Sequence, residues 1–305
     1  MEAGPGDGVY TDVGRQSVTL DRLGQKWTGE LLNAHRSRLT AKQYLYALDY
    51  FSRWLDSLSI HFLSVTRADV QQWLTEERMA GHEPVTIRNR FGVVRAFYSW
   101  LTALDYITKD PCLSIIQIKV PRKIPETMTV KEVDRMAKAC ETCRELAIVE
   151  TLYSTAARRA GLLGIRLQDL DFERGQVKIT GKGGKELYCY LSPRAIRAIK
   201  RWITVRAQYP CLTRKPTDRL FISRKGPLGP TQLTGIIHAI RSRAGLNKRV
   251  TPHTWRHSAA THYRDQGATI EDIADVLGHA NIQNTLIYAK TSTAKIRRTW
   301  ERLPR

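Results

Sequence analysis

Along most of this chain, apolar residues recur with the period of an α-helix. Leu20, Leu23, Trp27 and Leu31 fall on one helical face, and Tyr44, Leu48, Phe51 and Leu55 form a second stripe. Thr40 with Gln43 reads as the capping box of that second helix. Thr66 followed by Asp69 predicts the start of a third, whose Val70, Trp73 and Leu74 face inward. After a loop through Gly81 and Pro84, the residues Ile87, Phe91, Val94, Tyr98 and Leu101 stripe a fourth helix. Its polar surface carries Arg88, Arg90 and Arg95.

These stripes predict a compact four-helix module over residues 19–117, preceded by a glycine-rich lead-in over residues 1–18. The stretch 118–125, IKVPRKIP, has two prolines, three basic residues and no periodicity, so it reads as an extended linker that includes Arg122 and Lys123. A second domain, 126–305, opens with Thr129 and Glu132 as a helix cap. Within it, Val177–Thr180 and Leu187–Leu191 look like strands on either side of the turn Gly181-Lys182-Gly183-Gly184, and helices dominate afterwards. The predicted fold class is therefore mainly α with a small antiparallel β-sheet, and no apolar run is long enough to span a bilayer.

Charge narrows the partner. The 305 residues carry a formal net charge of +20, and it is unevenly spread: residues 1–124 hold 16 Lys and Arg against 13 Asp and Glu, whereas residues 125–305 hold 33 against 16. Such an excess goes well beyond the roughly 2 to 8 charges that keep a small domain soluble, and it points to a polyanion, with nucleic acid foremost. On that reading Arg88, Arg90, Arg95, Arg122, Lys123 and Lys185 are candidate contacts to DNA phosphates. The five cysteines are an odd set without framework spacing, and Cys140-x-x-Cys143 lacks the second pair a zinc site needs. The start MEAGPGDGVY has neither a basic nor an apolar signal segment, so a cytoplasmic, nucleoid-associated protein is expected, with no metal and no cofactor.

The second domain also gathers groups suited to phosphoryl transfer: Arg158-Arg159, Lys182 in its glycine-rich turn, His253 and Arg256 of HTWRH, Leu277-Gly278-His279, and Tyr288. Neither a Ser-His-Asp arrangement nor a paired acidic cluster competes with them. Guanidinium groups can neutralise the non-bridging oxygens of a phosphodiester bidentately, a phenol can attack, and a cationic acid can protonate the departing oxygen.

In order and spacing these motifs resemble those of the tyrosine recombinases, most closely the Xer-like members without an arm-binding domain. The resemblance covers roughly residues 19–305. It aligns the first catalytic arginine with Arg158 of YSTAAR, the hairpin lysine with Lys182, the H-x-x-R with His253 and Arg256, the L-G-H with Leu277 to His279, and the nucleophile with Tyr288. It implies a DNA clamp made of a helical core-binding domain and a catalytic domain, with a 3′-phosphotyrosyl intermediate. Lys182 would serve as general acid, and a tetramer would form on two copies of a specific DNA site, with a possible partner recombinase. The tail KTSTAKIRRTWERLPR, with Ile296, Trp300 and Leu303 at helical spacing, is similar to the final Xer helix that docks on a neighbouring protomer. One departure stands out: Gly161 occupies a position that is usually acidic in the family. A type IB topoisomerase and a non-catalytic DNA-binding regulator are the alternatives.

Overall fold

The computed structural model describes residues 19–116, 118–120, 125–181, 184–209, 211–214 and 216–278. The chain divides into two compact units between Arg122 and Lys123. In the first, four helices run α1 Leu20–Asn33, α2 Arg38–Ser57, α3 Arg67–Met79 and α4 Pro84–Ala103. Their stripes meet in one core, where Phe51, Val94, Phe97 and Leu101 are fully buried together with Trp73. The third helix begins as its sequence requires: Thr66 accepts the backbone N–H of Asp69, and the Asp69 carboxylate accepts the N–H of Thr66. The second does not. Its N-cap is Ser37, whose hydroxyl accepts from Thr40 N, so the helix starts one turn before the Thr40–Gln43 box read from the sequence. Ser37 is itself a strong N-cap residue type.

The second unit contains α5 Val130–Lys138, α6 Cys143–Thr155, α7 Arg159–Gly164, α8 Pro193–Arg206, α9 Cys211–Arg214, α10 Pro230–Arg243, α11 Pro252–Asp265 and α12 Ile270–Leu277. A three-stranded antiparallel sheet lies among them in the order β1 Leu170–Asp171, β2 Gln176–Thr180, β3 Glu186–Tyr190. The hairpin β2–β3 is the pair expected from the sequence. The two-residue strand β1 and the short pair β4 Ile222–Ser223 with β5 Gly226–Pro227 are too short to leave a period-2 signature. In the hairpin, Val177 pairs with Cys189 and Ile179 with Leu187, which turns these residues to the core and leaves Tyr188 and Tyr190 in solvent. The thiol of Cys140 donates to Met136 O at 3.3 Å, and burial pushes its pKa up to about 12, so it behaves as a packing group. Among the described residues, no helix is long and apolar enough to cross a membrane.

Because the two cores are separate clusters, damage to one should stay local. Phe51→Ala should cost the first unit about 3 to 5 kcal/mol. Calorimetry should then show its transition lowered or lost while the transition of the second unit keeps its midpoint.

Candidate active site

The site begins with a break in the chain. Helix α6 ends at Thr155, and Ala156 takes a left-handed conformation (φ 49°), an uncommon choice for a residue with a Cβ. The Thr155 hydroxyl accepts the N–H of Ala157, and Arg158 then lies extended as the N-cap of α7. This kink presents Arg158 half-buried at the junction of two helices. Among the described residues, no carboxylate is paired with its guanidinium.

Arg256 comes from the first turns of α11, where Thr251 and Thr254 form a reciprocal cap. Its side chain is only 6% exposed. Nη1 donates to Ala156 O at 2.8 Å and Nη2 donates to Leu277 O at 2.6 Å. Both acceptors belong to helix C-terminal ends, where unsatisfied carbonyls and the helix dipole concentrate negative potential, so a buried cation is held there by carbonyl oxygens. The L-G-H motif thereby acquires a physical meaning in its first two positions. Leu277 supplies the acceptor, and Gly278 turns left-handed (φ 58°) to end α12. The left-handed conformation there favours glycine, and a Cβ would also meet Leu187 Cδ2 of β3 tightly, at 3.0 Å.

His253 stands one turn before Arg256 on the same helix. Partial burial first, then the charges of Arg256, Arg159 and Arg158, hold its imidazole pKa below the ordinary value of 6.5. All three guanidinium groups therefore act on one neutral imidazole. The neighbouring Cys189 thiol is raised to about 11 by burial, against the pull of Arg256.

Further along α11, His262 Nδ1 lies 2.8 Å from the Tyr153 hydroxyl of α6, and Ser258 Oγ accepts the backbone N–H of Met128. These contacts fix α11 against α6 and against the start of the domain.

The departure at Gly161 has a steric cause. Gly161 is buried against β2, and a Cβ built there would sit 2.7 Å from Ile179 Cγ2. No side chain fits, acidic or otherwise, while Ile179 stays in place, so close packing of α7 on the hairpin stands where the family usually has a carboxylate.

Of the other residues singled out from the sequence, Lys185 is exposed at the end of the hairpin, where its carbonyl accepts from Gly181 N at 2.7 Å. Lys182, His279, Tyr288, Arg122, Lys123 and the tail with Ile296, Trp300 and Leu303 lie outside the described residues. In the first unit Arg88 is exposed and Arg95 half-buried. Arg90 is committed elsewhere: Nη1 donates to the buried Glu77 at 2.6 Å, and the guanidinium stacks 3.8 Å from the centre of the Tyr50 ring. Tyr50 donates to the same carboxylate at 2.8 Å. Nothing in the sequence spacing of Tyr50, Glu77 and Arg90 announces that cluster.

Because a Cβ at Gly161 would overlap Ile179, Gly161→Ala should destabilise the protein by about 1 to 3 kcal/mol. Ile179→Ala should cost less in that background than in the wild type, with a coupling of at least about 0.5 kcal/mol by urea denaturation. Additive losses would mean that the two residues do not meet.

Comparison with known proteins shows the family of the chain. Residues 126–295 match the phage integrase family, and residues 25–104 match the phage integrase N-terminal SAM-like domain. The tyrosine recombinase XerC of Corynebacterium glutamicum is 31% identical over 271 residues, which span 86% of this chain and 84% of that protein. The tyrosine recombinase XerD of Shewanella oneidensis is 29% identical over 265 residues, covering 84% of this chain and 87% of its own. Among solved structures, the XerH site-specific recombinase bound to palindromic difH substrate, a post-cleavage complex, superposes with a TM-score of 0.75 at 20% identity over 91% of this chain and 84% of that one. The Tn1549 transposon integrase in complex with circular intermediate DNA gives a TM-score of 0.69 at 20% identity, covering 94% of this chain and 100% of that one. With a catalytic-domain match that spans more than half of its length, the chain belongs to the phage integrase family of tyrosine recombinases.

Proposed function

We propose that this protein is a site-specific DNA recombinase that cleaves and rejoins duplex DNA through a 3′-phosphotyrosyl intermediate. The observation that carries this reading is the seat of Arg256 between the ends of α6 and α12, which sets it and Arg158 to act together on His253. Two fixed guanidinium groups are what a pentacoordinate phosphate needs for its non-bridging oxygens.

In this mechanism the Tyr288 phenol attacks the scissile phosphate and passes its proton to neutral His253. The P–O5′ bond breaks, and Lys182 protonates the departing 5′-oxygen. His279 donates to a non-bridging oxygen. The energy of the phosphodiester is conserved in the tyrosyl ester, so a 5′-hydroxyl from the partner duplex can displace Tyr288 and restore a phosphodiester without a nucleotide cofactor. Strand exchange of this kind requires two duplexes and four protomers, alone or with a partner recombinase. Arg88, Arg95, Arg122, Lys123 and Lys185 are proposed to track the DNA backbone. Arg90 would have to leave Glu77 to do so, and we assign it instead to holding α3 and α4 together. The tail after Tyr288 is proposed to dock on an adjacent protomer, and the protein to act on DNA in the cytoplasm. A topoisomerase would reseal the same strand, so plasmid relaxation without exchange between two sites would favour that alternative.

Incubation with a nicked suicide substrate should leave the protein attached to the 3′ end, and Tyr288→Phe should bind the DNA without forming the adduct. An adduct that persists in Tyr288→Phe would place the nucleophile elsewhere.

The state of His253 gives a second expectation. Its pKa is lowered, so the neutral, proton-accepting form persists below pH 6.5, and the acidic limb of the cleavage rate should fall at lower pH than an ordinary histidine would give. In His253→Gln that limb should disappear along with most of the rate. A limb unchanged in the variant would assign the proton to another group.

A further inference from the structure

The two arginines of the Arg158-Arg159 pair part company at the start of α7. Arg158, the N-cap, belongs with Arg256 in the site described above. Arg159, the first helical residue, is exposed and lines a cleft of about 490 Å³ that also takes in His253, His257, Thr251 and Arg249. Arg249 reaches it from the loop before α11, so the cations of two separate segments converge on one concavity. Among the described residues neither guanidinium has an ion pair, whereas Arg166, Arg194 and Arg243 of the same domain are paired with Asp218, with Asp134 and Glu150, and with Glu141 and Glu145. Glu126 also lines the cleft, and one carboxylate against two guanidinium groups leaves its charge positive.

The floor of the cleft adds to this bias. Thr251, Pro252, His253 and Thr254 form the first turn of the 14-residue helix α11, whose dipole directs positive potential outward at that end. Moreover, the charge of Arg159 weighs on His253 more heavily than that of Arg158. The cleft thus shares His253 with the site described above.

We propose that this cleft is a second phosphate subsite, in which Arg159 and Arg249 hold the backbone phosphodiester next to the scissile one. The proposal rests on the recombinase reading, in which the scissile phosphate lies at Arg158 and Arg256. Phosphates of one strand succeed each other every ~3.4 Å of duplex axis, so a duplex seated with one phosphate at those residues carries a flanking phosphate past His253. Holding two consecutive phosphates fixes the direction of the strand and the phase of the backbone, which a single clamped phosphate leaves free to rotate. Arg159 and Arg249 are then positioning residues, since they orient the DNA and touch no reacting atom.

The test uses the full chain and duplex substrates that carry one neutral methylphosphonate at each successive position around the cleavage point. In the wild type, one flanking position should lower adduct formation about tenfold, the loss expected for one charge-assisted contact. Arg159→Ala and Arg249→Ala should each lower adduct formation on unmodified DNA by a similar factor and should abolish the penalty at that one position, while Arg159→Lys should retain part of it. A free anion occupying the cleft would produce no such dependence on position. Equal penalties in wild type and variants at every position, or no flanking penalty at all, would overturn the subsite. The same series read as equilibrium binding by Tyr288→Phe keeps the test independent of chemistry. If no wild-type adduct forms on any substrate, the recombinase reading fails, while the binding series still decides whether the subsite exists.

Discussion

The arrangement of the catalytic domain depends on one buried cation. A guanidinium that is 6% exposed must be satisfied within the protein or be prohibitively costly, and Arg256 meets that requirement with the carbonyls of Ala156 and Leu277. These acceptors lie 100 residues before it and 21 residues after it in the chain, so the hydrogen bonds draw the end of α6 and the end of α12 toward α11. The segments they draw in lead to residues proposed to act on the phosphate: Ala156 stands two residues before Arg158, and Leu277 two residues before His279. The two carbonyl dipoles fix the position of the guanidinium.

The hairpin β2–β3 is located by a different force, close steric fit. Gly161 of α7 presses on Ile179 of β2, and Gly278 at the end of α12 presses on Leu187 of β3. Ile179 and Leu187 are paired across the two strands, so both glycines bear on the same rung of the sheet. A rung clamped by helices α7 and α12 holds the base of the turn that contains Lys182 in a defined relation to Arg158 on one side and to the L-G-H motif on the other. The missing acidic residue of the family and the glycine of the L-G-H motif are in this way parts of one packing solution. Interiors at this density do not deform continuously, which gives a hairpin base held by two Cβ-free contacts a single seat.

Much of this was legible in the sequence because it is local. The apolar stripes of α1 to α4, the caps at Thr66 and Thr129, and the hairpin around Gly181 are each set within a dozen residues, and they appear where the pattern puts them. Spacing gathered Arg158-Arg159, His253 and Arg256, and the family resemblance singled out Arg158. What spacing could not deliver were partnerships between distant segments. The fit of Gly161 under Ile179, the bond from Tyr153 to His262 across α6 and α11, and the pairing of Glu77 with Arg90 depend on which helices meet. The N-cap of α2 illustrates a local failure of another kind. Ser37 and Thr40 are both acceptable caps by residue type, and the helix takes the earlier one.

Arg90 shows why a count of cations is a poor guide to where a protein holds DNA. On the sequence it is equivalent to Arg88 and Arg95, three basic residues on the polar side of one helix. In the fold it lies over Tyr50 and shares the buried carboxylate of Glu77 with the Tyr50 hydroxyl and with His82, 3.4 Å away. Its charge is balanced before any ligand arrives, and freeing it would leave a carboxylate only 4% exposed without its cation. The small excess of positive charge in the first 124 residues therefore overstates what that unit can offer to phosphates on the surface of α4. By contrast, Arg158, Arg159 and Arg249 of the second unit have no ion pair among the described residues, which suits them to a phosphate.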